Sequence, residues 1–295
     1  MDIRILNYFV TIAQEKNITR AAEKLLMTQP ALSRQLKLLE EELGVVLFRR
    51  SSRQLQLTED GQYLYNRALE ILSLVNKTEE TLTRKGDIGG DLYIGAAESA
   101  SMFLIAKACD RMLSMYPQVR FHFLSDNADA VYENLDKGIL DFGIVFATQV
   151  SHKYQSLELP SQDHWCIIAP KHHPLAIQKE ISLTDIITYP LIISAQTNHL
   201  DHSLFKGLGD YRIVATYNLL YNAGLLVKVG LGIALALDGI VQDPDLVTIP
   251  LKEQGNDKLY LIWRHKANQT ATELAFMNEV NQQIENANTE TNNRS

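Results

Sequence analysis

Residues 19–43 read TRAAEKLLMTQPALSRQLKLLEEEL. Over residues 29–43, Leu32, Leu36, Leu39 and Leu43 recur at helical spacing, so one stripe of a helix belongs in a core. The opposite stripe carries Pro30, Ser33, Arg34 and Lys37. Upstream, Thr19 is suited to cap a short helix over residues 20–26, whose Ala21, Ala22 and Leu25 let a second helix cross closely. Met27 and Thr28 separate the two; Thr28 has an N-cap oxygen, and Pro30 is tolerated in a first turn. Two short helices, a tight turn and a polar outer face describe a helix-turn-helix, whose second helix enters the DNA major groove by its N-terminal end. Gln29, Ser33, Arg34 and Lys37 donate to base edges or phosphates, whereas Glu40, Glu41 and Glu42 repel them at the far end. Taken alone, the pattern also suits an amphipathic surface helix; its neighbours decide.

Outward from this stretch, residues 3–16 read as a supporting helix with Leu6, Phe9, Val10 and Ala13 on one face. Gly44 fits a helix C-terminus, and Leu47 and Phe48 return to the core. Arg49, Arg50 and Arg53 around Ser51 and Ser52 read as the basic tip of a hairpin, a wing suited to phosphate or minor-groove contact. Thr58 then caps a proline-free helix reaching about residue 85, in which Leu64, Ala68, Ile71, Val75, Thr78 and Leu82 keep heptad spacing. So long a stripe exceeds what a small core covers, and it asks for a partner helix.

Phe9, Ala21, Ala22, Leu25, the run Thr28 to Ser33, Gln35, Leu39, Glu40, Leu43, Gly44, Leu47, Phe48, Arg50, Leu57, Thr58 and Gly61 resemble the N-terminal signature of the LysR-type transcriptional regulators. Further on, GGDLYIGAAES, APKHHPLA, YPLIIS and VGLGIALAL resemble segments of that family's periplasmic-binding-protein-like effector domain, with Tyr93 and Leu237 departing from its usual residues. The resemblance implies an α+β, two-domain chain: a winged helix-turn-helix DNA-binding domain over 1–58, a linker dimerisation helix over 59–86, and an α/β effector-binding domain over 91–295. It implies a double-stranded DNA operator read through Thr28, Gln29, Pro30, Ser33, Arg34, Lys37, Arg50 and Arg53. It further implies a small-molecule effector, a homodimer or homotetramer joined by the linker helix, and RNA polymerase as a further partner.

Composition agrees. A chain of 295 residues suffices for about two domains, and 46% hydrophobic with 21% charged residues is ordinary globular content. Apolar runs are too short for a membrane span and the first residues lack a secretory layout, so a cytoplasmic protein without membrane contact is expected. Cys109 and Cys166 make no disulfide framework. The net charge of −7 is uneven: residues 1–86 carry +2 and the remainder −9, so the acidity lies away from the DNA-reading part.

After Gly86, Gly89 and Gly90, strands expected over 92–96, 120–124, 141–146, 164–169, 191–194, 233–237 and 259–263 alternate with helices, a pattern of parallel sheets. Two subdomains are expected, the first over 91–160 and 265–287, the second over 161–264, with a frayed polar tail after residue 284. A cleft between them would sit at the C-terminal ends of strands, facing helix N-termini that favour carboxylates and other anions. Ser99, Ala100, Ser101, Ser194, Asn198, Phe146, Thr148 and Asn222 are the candidate effector contacts, with the proviso that an inward Glu98 disfavours an anion. A Ser or Asn at a helix start is otherwise simply a cap.

Six of the eight histidines fall between His152 and His202, yet without a strong metal spacing, and neither a metal nor a resident cofactor is expected. An enzyme using the cleft would need a nucleophile elbow, a P-loop or a dinucleotide fingerprint; the sequence has none, and no catalysis is expected. A solute-binding protein would share the cleft but leave the N-terminal helices without a purpose.

Overall fold

The computed structural model describes residues 1–50, 55–83, 87–161, 163–195, 205, 208–255, 257–265 and 269–292. They form two compact units, residues 1–85 and 86–295, each with its own core.

In the first unit, α1 (Ile3–Glu15) is capped by Asp2, and Leu6, Phe9, Val10, Ile12 and Ala13 are buried. Each such side chain contributes roughly 1.5–3 kcal/mol on burial, Ala13 less. The next helix, α2 (Ile18–Lys24), starts two residues earlier than expected. Thr19 is not its cap: Asn17 Oδ1 accepts from the Thr19 and Arg20 amides at 2.8 and 3.1 Å. α2 stops because Leu26 turns left-handed, at φ 54°, so that the Met27 amide reaches Ala22 O and the Leu26 amide reaches Glu23 O. This is a Schellman closure with leucine where glycine is usual.

Thr28 flanks α3 (Gln29–Leu43) in N-cap conformation, but its hydroxyl makes no capping bond. Leu32, Leu36 and Leu39 are buried, whereas Leu43, expected on the same stripe, is 39% exposed, being the last residue before the chain turns at Gly44, φ 69°. Strands β1 (Phe48–Arg50) and β2 (Leu55–Leu57) pair antiparallel, Phe48 opposite Leu57. α4 (Glu59–Thr83) begins at Thr58, whose Oγ1 accepts from the Gly61 amide and donates to Val46 O. A Cβ at Gly61 would lie 2.1 Å from Leu47 O, so only glycine fits. The heptad stripe divides: Ala68 is buried with Leu64, Tyr65 and Leu72 beside it, while Ile71, Thr78 and Leu82 of the stripe, and Leu74 next to it, are exposed in the single chain.

The second unit has two five-stranded sheets. β3 (Gly90–Ala96), β4 (Val119–Ser125), β5 (Phe142–Ala147), β6 (Tyr154–Leu159) and β12 (Lys258–Arg264) form the first, in the order β4-β3-β5-β12-β6. Helices α5 (Met102–Met115) and α9 (Ala271–Asn292) share one core with it through Ile105, Met112, Phe276 and Val280; α6 (Ala128–Asp136) joins a second core through Val131 and Leu135. The second sheet takes β7 (Trp165–Pro170), β8 (Pro190–Ser194), β9 (Arg212–Tyr217), β10 (Ile233–Leu237) and β11 (Leu246–Pro250), in the order β11-β7-β10-β8-β9. It is flanked by α7 (Leu183–Ile186) and α8 (Leu220–Lys228).

Three expectations are corrected. The sheets are mixed rather than parallel: β12 runs antiparallel to β5 and β6, and β7 antiparallel to β10 and β11. β12 belongs to the first lobe, so the chain recrosses over residues 251–257 rather than near 264. Residues 285–292 continue α9 instead of fraying. Strands β6, β9 and β11 were not expected at all.

Candidate functional site

In the first unit, the turn into α3 places Thr28, Gln29 and Pro30 on the surface, with Arg34 and Lys37 exposed and Ser33 half-buried along the same helix. Gln29 Nε2 donates to Ser33 Oγ at 2.7 Å, which holds two groups able to meet base edges in one pose. Lys37 Nζ lies 3.4 Å from Glu41, an exposed pair that holds it weakly. Arg34 forms no ion pair among the described residues. Glu40 has a different task from the one its charge suggested: its Oε1 accepts from the Leu47 and Phe48 amides at 2.7 and 3.2 Å and fixes the approach to the wing. Arg50 ends β1, and Arg53 lies outside the described residues.

In the second unit, the strand ends of both lobes and both chain crossings surround a cavity of about 380 Å³. Phe146 and Ser194, expected there, line it. Thr148 stands one bond behind, its Oγ1 donating to the lining Asp257 at 2.7 Å. Asn222 does not reach it: α8 starts at Leu220, and Asn222 lies on the helix's exposed face, while Asn218 lines the cavity instead. Asn198 lies outside the described residues. Ser99 borders a neighbouring space of about 340 Å³ with Met102 and Phe123, and Ala100 and Ser101 line neither.

The reason is Asp163, on the first crossing. Its carboxylate sits at the start of α5, accepting from Ser99 Oγ at 2.7 Å, from the Ala100 amide at 2.9 Å, from Ser161 Oγ at 2.8 Å and from Ser101 Oγ. The helix N-terminus expected to draw an anion from solution thus holds one supplied by the chain. Across the cleft, Glu98 Oε2 accepts from the Leu220 amide at the start of α8. Glu98 follows β3 in the first lobe and Leu220 opens a helix of the second, so this bond latches the lobes together.

Other lining residues were not foreseen, among them Asp126 after β4, His164 on the first crossing, Trp165 at the start of β7, Tyr217 at the end of β9, and Gln254 and Asp257 on the second crossing. Strand-end position was the available signal for Asp126 and Tyr217. Tyr217 donates to Leu235 O at 2.8 Å, and burial, followed by the nearby Cys166 and Glu98, pushes its phenol well up. Burial also pushes the thiols of Cys109 and Cys166 up to about 12, with Asp238 adding to the shift at Cys166. Among the described residues no group of three potential metal ligands converges. No helix among them is long and apolar enough to cross a membrane.

Two family profiles match: one described as the bacterial regulatory helix-turn-helix protein of the lysR family over residues 3–62, the other as the LysR substrate binding domain over residues 85–285. The HTH-type transcriptional regulator BsdA of Bacillus subtilis (strain 168) is 35% identical over 201 residues, covering 67% of this chain and 68% of that protein. BenM of Acinetobacter baylyi, another HTH-type transcriptional regulator, is 28% identical over 245 residues, 81% of this chain and 79% of its own. The crystal structure of full-length CbnR complexed with its target DNA aligns with a TM-score of 0.72 at 21% identity, over 96% of this chain and 100% of that one, a likeness of fold.

Proposed function

The chain belongs to the LysR family of DNA-binding transcriptional regulators, and from that premise we propose how its two units divide the work. As a family member it binds operator DNA, takes a small-molecule effector in its C-terminal domain and forms oligomers. We infer that Gln29, Pro30, Ser33, Arg34 and Lys37 contact the major groove, with Thr28 at the helix start and Arg50 and Arg53 on the wing against the backbone or minor groove. The observation that carries this is the exposed polar N-terminal end of α3, set on a buried Leu32, Leu36 and Leu39 stripe. The protein in CbnR's crystal structure is complexed with its target DNA, which supports the same use of this fold here.

The exposed Ile71, Leu74 and Leu82 of α4 supply the face on which a second copy's helix packs, pairing two recognition helices on one site. A tetramer built from two such dimers, and contact with RNA polymerase, extend that reading. The interlobe cavity is the effector site, and it binds without turnover and without a resident cofactor; the protein works in the cytoplasm. An effector that couples to the DNA-binding heads by only about 1–3 kcal/mol changes occupancy five- to a hundredfold or so.

The test is fluorescence anisotropy of the full-length protein on the DNA upstream of its own gene. Arg34→Ala is expected to cost about 1–3 kcal/mol and to relax preference at one base pair. Unchanged affinity and sequence preference would remove Arg34 from the interface.

A further inference from the structure

The charge of the interlobe cavity deepens the reading above, on which it rests. Among the described residues four carboxylates line the space: Glu98, Asp126, Asp163 and Asp257. Their hydrogen bonds come from neutral donors. Asp163 takes three hydroxyls and an amide, Glu98 the Leu220 amide, Asp126 the Asn127 amide at 2.8 Å, and Asp257 the Thr148 hydroxyl. None of the four forms an ion pair among the described residues, and the described lining includes neither lysine nor arginine, with His164 its one basic side chain. Four acids around a half-enclosed space with low-dielectric walls focus a negative potential into it.

The features that would draw an anion are already used. The start of α5 holds the Asp163 carboxylate through the Ala100 amide and the start of α8 holds that of Glu98 through the Leu220 amide, so a free carboxylate would meet an acid at each place where it needs a donor. Phe146, Trp165, Leu220, Leu237 and Ile240 form the apolar and aromatic part of the wall, and Asn127, Ser194, Asn218 and Gln254 add neutral polar groups. Aromatic faces attract cations as well as apolar groups. The volume suits a small organic molecule.

We infer that the effector is a small organic cation: an ammonium-bearing molecule with an apolar body, its charge held by Asp126 or Asp257 at the strand ends of the first lobe and its body against the apolar and aromatic part of the wall. Asparagine at either position keeps a carbonyl oxygen for the Asn127 amide or the Thr148 hydroxyl while removing the charge, so the fold is retained.

The experiment uses full-length protein and a ladder of alkyl and phenylalkyl probes, each skeleton prepared as primary amine, alcohol and carboxylate, read by thermal shift and calorimetric titration at neutral pH. The expected ranking places the ammonium form first and the carboxylate last. Ammonium affinity should fall roughly tenfold or more in the Asp126→Asn, Asp257→Asn double variant, as loss of a charge-assisted contact requires. A carboxylate ranking first, no ammonium binding at millimolar concentration, or undiminished binding by the double variant overturns the inference. Operator anisotropy on the same preparations separates it from the reading beneath. Absence of any preferred DNA site defeats the regulator reading, whereas an ammonium that binds with no effect on operator affinity or footprint upholds the charge assignment and defeats the effector role.

Discussion

Replacing Asp163 by asparagine tests whether the carboxylate at the start of α5 is structural. The native Oδ2 accepts three hydroxyls and Oδ1 the Ala100 amide. An amide side chain that keeps its oxygen on the Ala100 amide turns an NH₂ toward three hydroxyls; its two hydrogens satisfy at most two of them, after those hydroxyls rotate to accept, and the charge is lost. Hydrogen bonds to a charged group are worth about 1.5–3 kcal/mol each, but they share one atom and the group is partly solvated, so the sum is not additive. Adding the lost charge at the helix terminus, about 0.3–1 kcal/mol, the expected cost is about 3 kcal/mol. For a unit of this size that lowers the melting temperature by about 6–12 °C. Both tryptophans, Trp165 and Trp263, lie in the second unit, so tryptophan fluorescence follows its melting without interference from the first. A companion variant, Asp163→Gly, vacates the site, and formate should then raise its melting temperature by mass action while leaving the parent protein unchanged at matched chloride. A loss below about 1 °C in the asparagine variant, or equal responses to formate, would refute the reasoning.

Three further outcomes are expected. Gly61→Ala forces a Cβ against Leu47 O and should cost about 2–3 kcal/mol, lowering the first unit's transition in far-ultraviolet circular dichroism by on the order of 10 °C. Leu26→Gly should stabilise the same transition by about 1 kcal/mol, because the left-handed residue is 95% exposed and loses no packing. Cys109 and Cys166, with pKa values pushed up to about 12, carry little thiolate at neutral pH. They should react with a disulfide reagent at least about a hundredfold more slowly in folded than in unfolded protein, with the rate rising with pH.

The N-terminal unit was legible because its determinants are local. Helical spacing gave the buried stripe of α3, and Gly44 and Thr58 punctuate the chain where the backbone turns. The errors are local too: Asn17 outcompetes Thr19 as a cap, and a left-handed leucine ends α2 where no glycine advertised a stop. In the second unit, strands such as 233–237 were readable, but a strand does not announce its neighbours. β12 was found and assigned to the wrong lobe because its partners β5 and β6 lie about a hundred residues away. β6, β9 and β11 are edge strands with broken alternation, so their pattern was weak. For the cavity, Phe146 and Ser194 followed from strand ends. Asp163 and Asp257 sit on crossings whose place only the folded topology supplies.

That topology also dictates an order of synthesis. Among the described residues β6 pairs with β12 alone, and α9 closes a core begun by α5, so the first lobe brackets the second in the chain. A ribosome therefore releases the DNA-reading unit complete, then the whole second lobe, while the first lobe waits for its closing strand and helix. Until they emerge, Phe142 and Ile144 lack their cover, and a chaperone that shields nascent apolar surface would find its longest opportunity there.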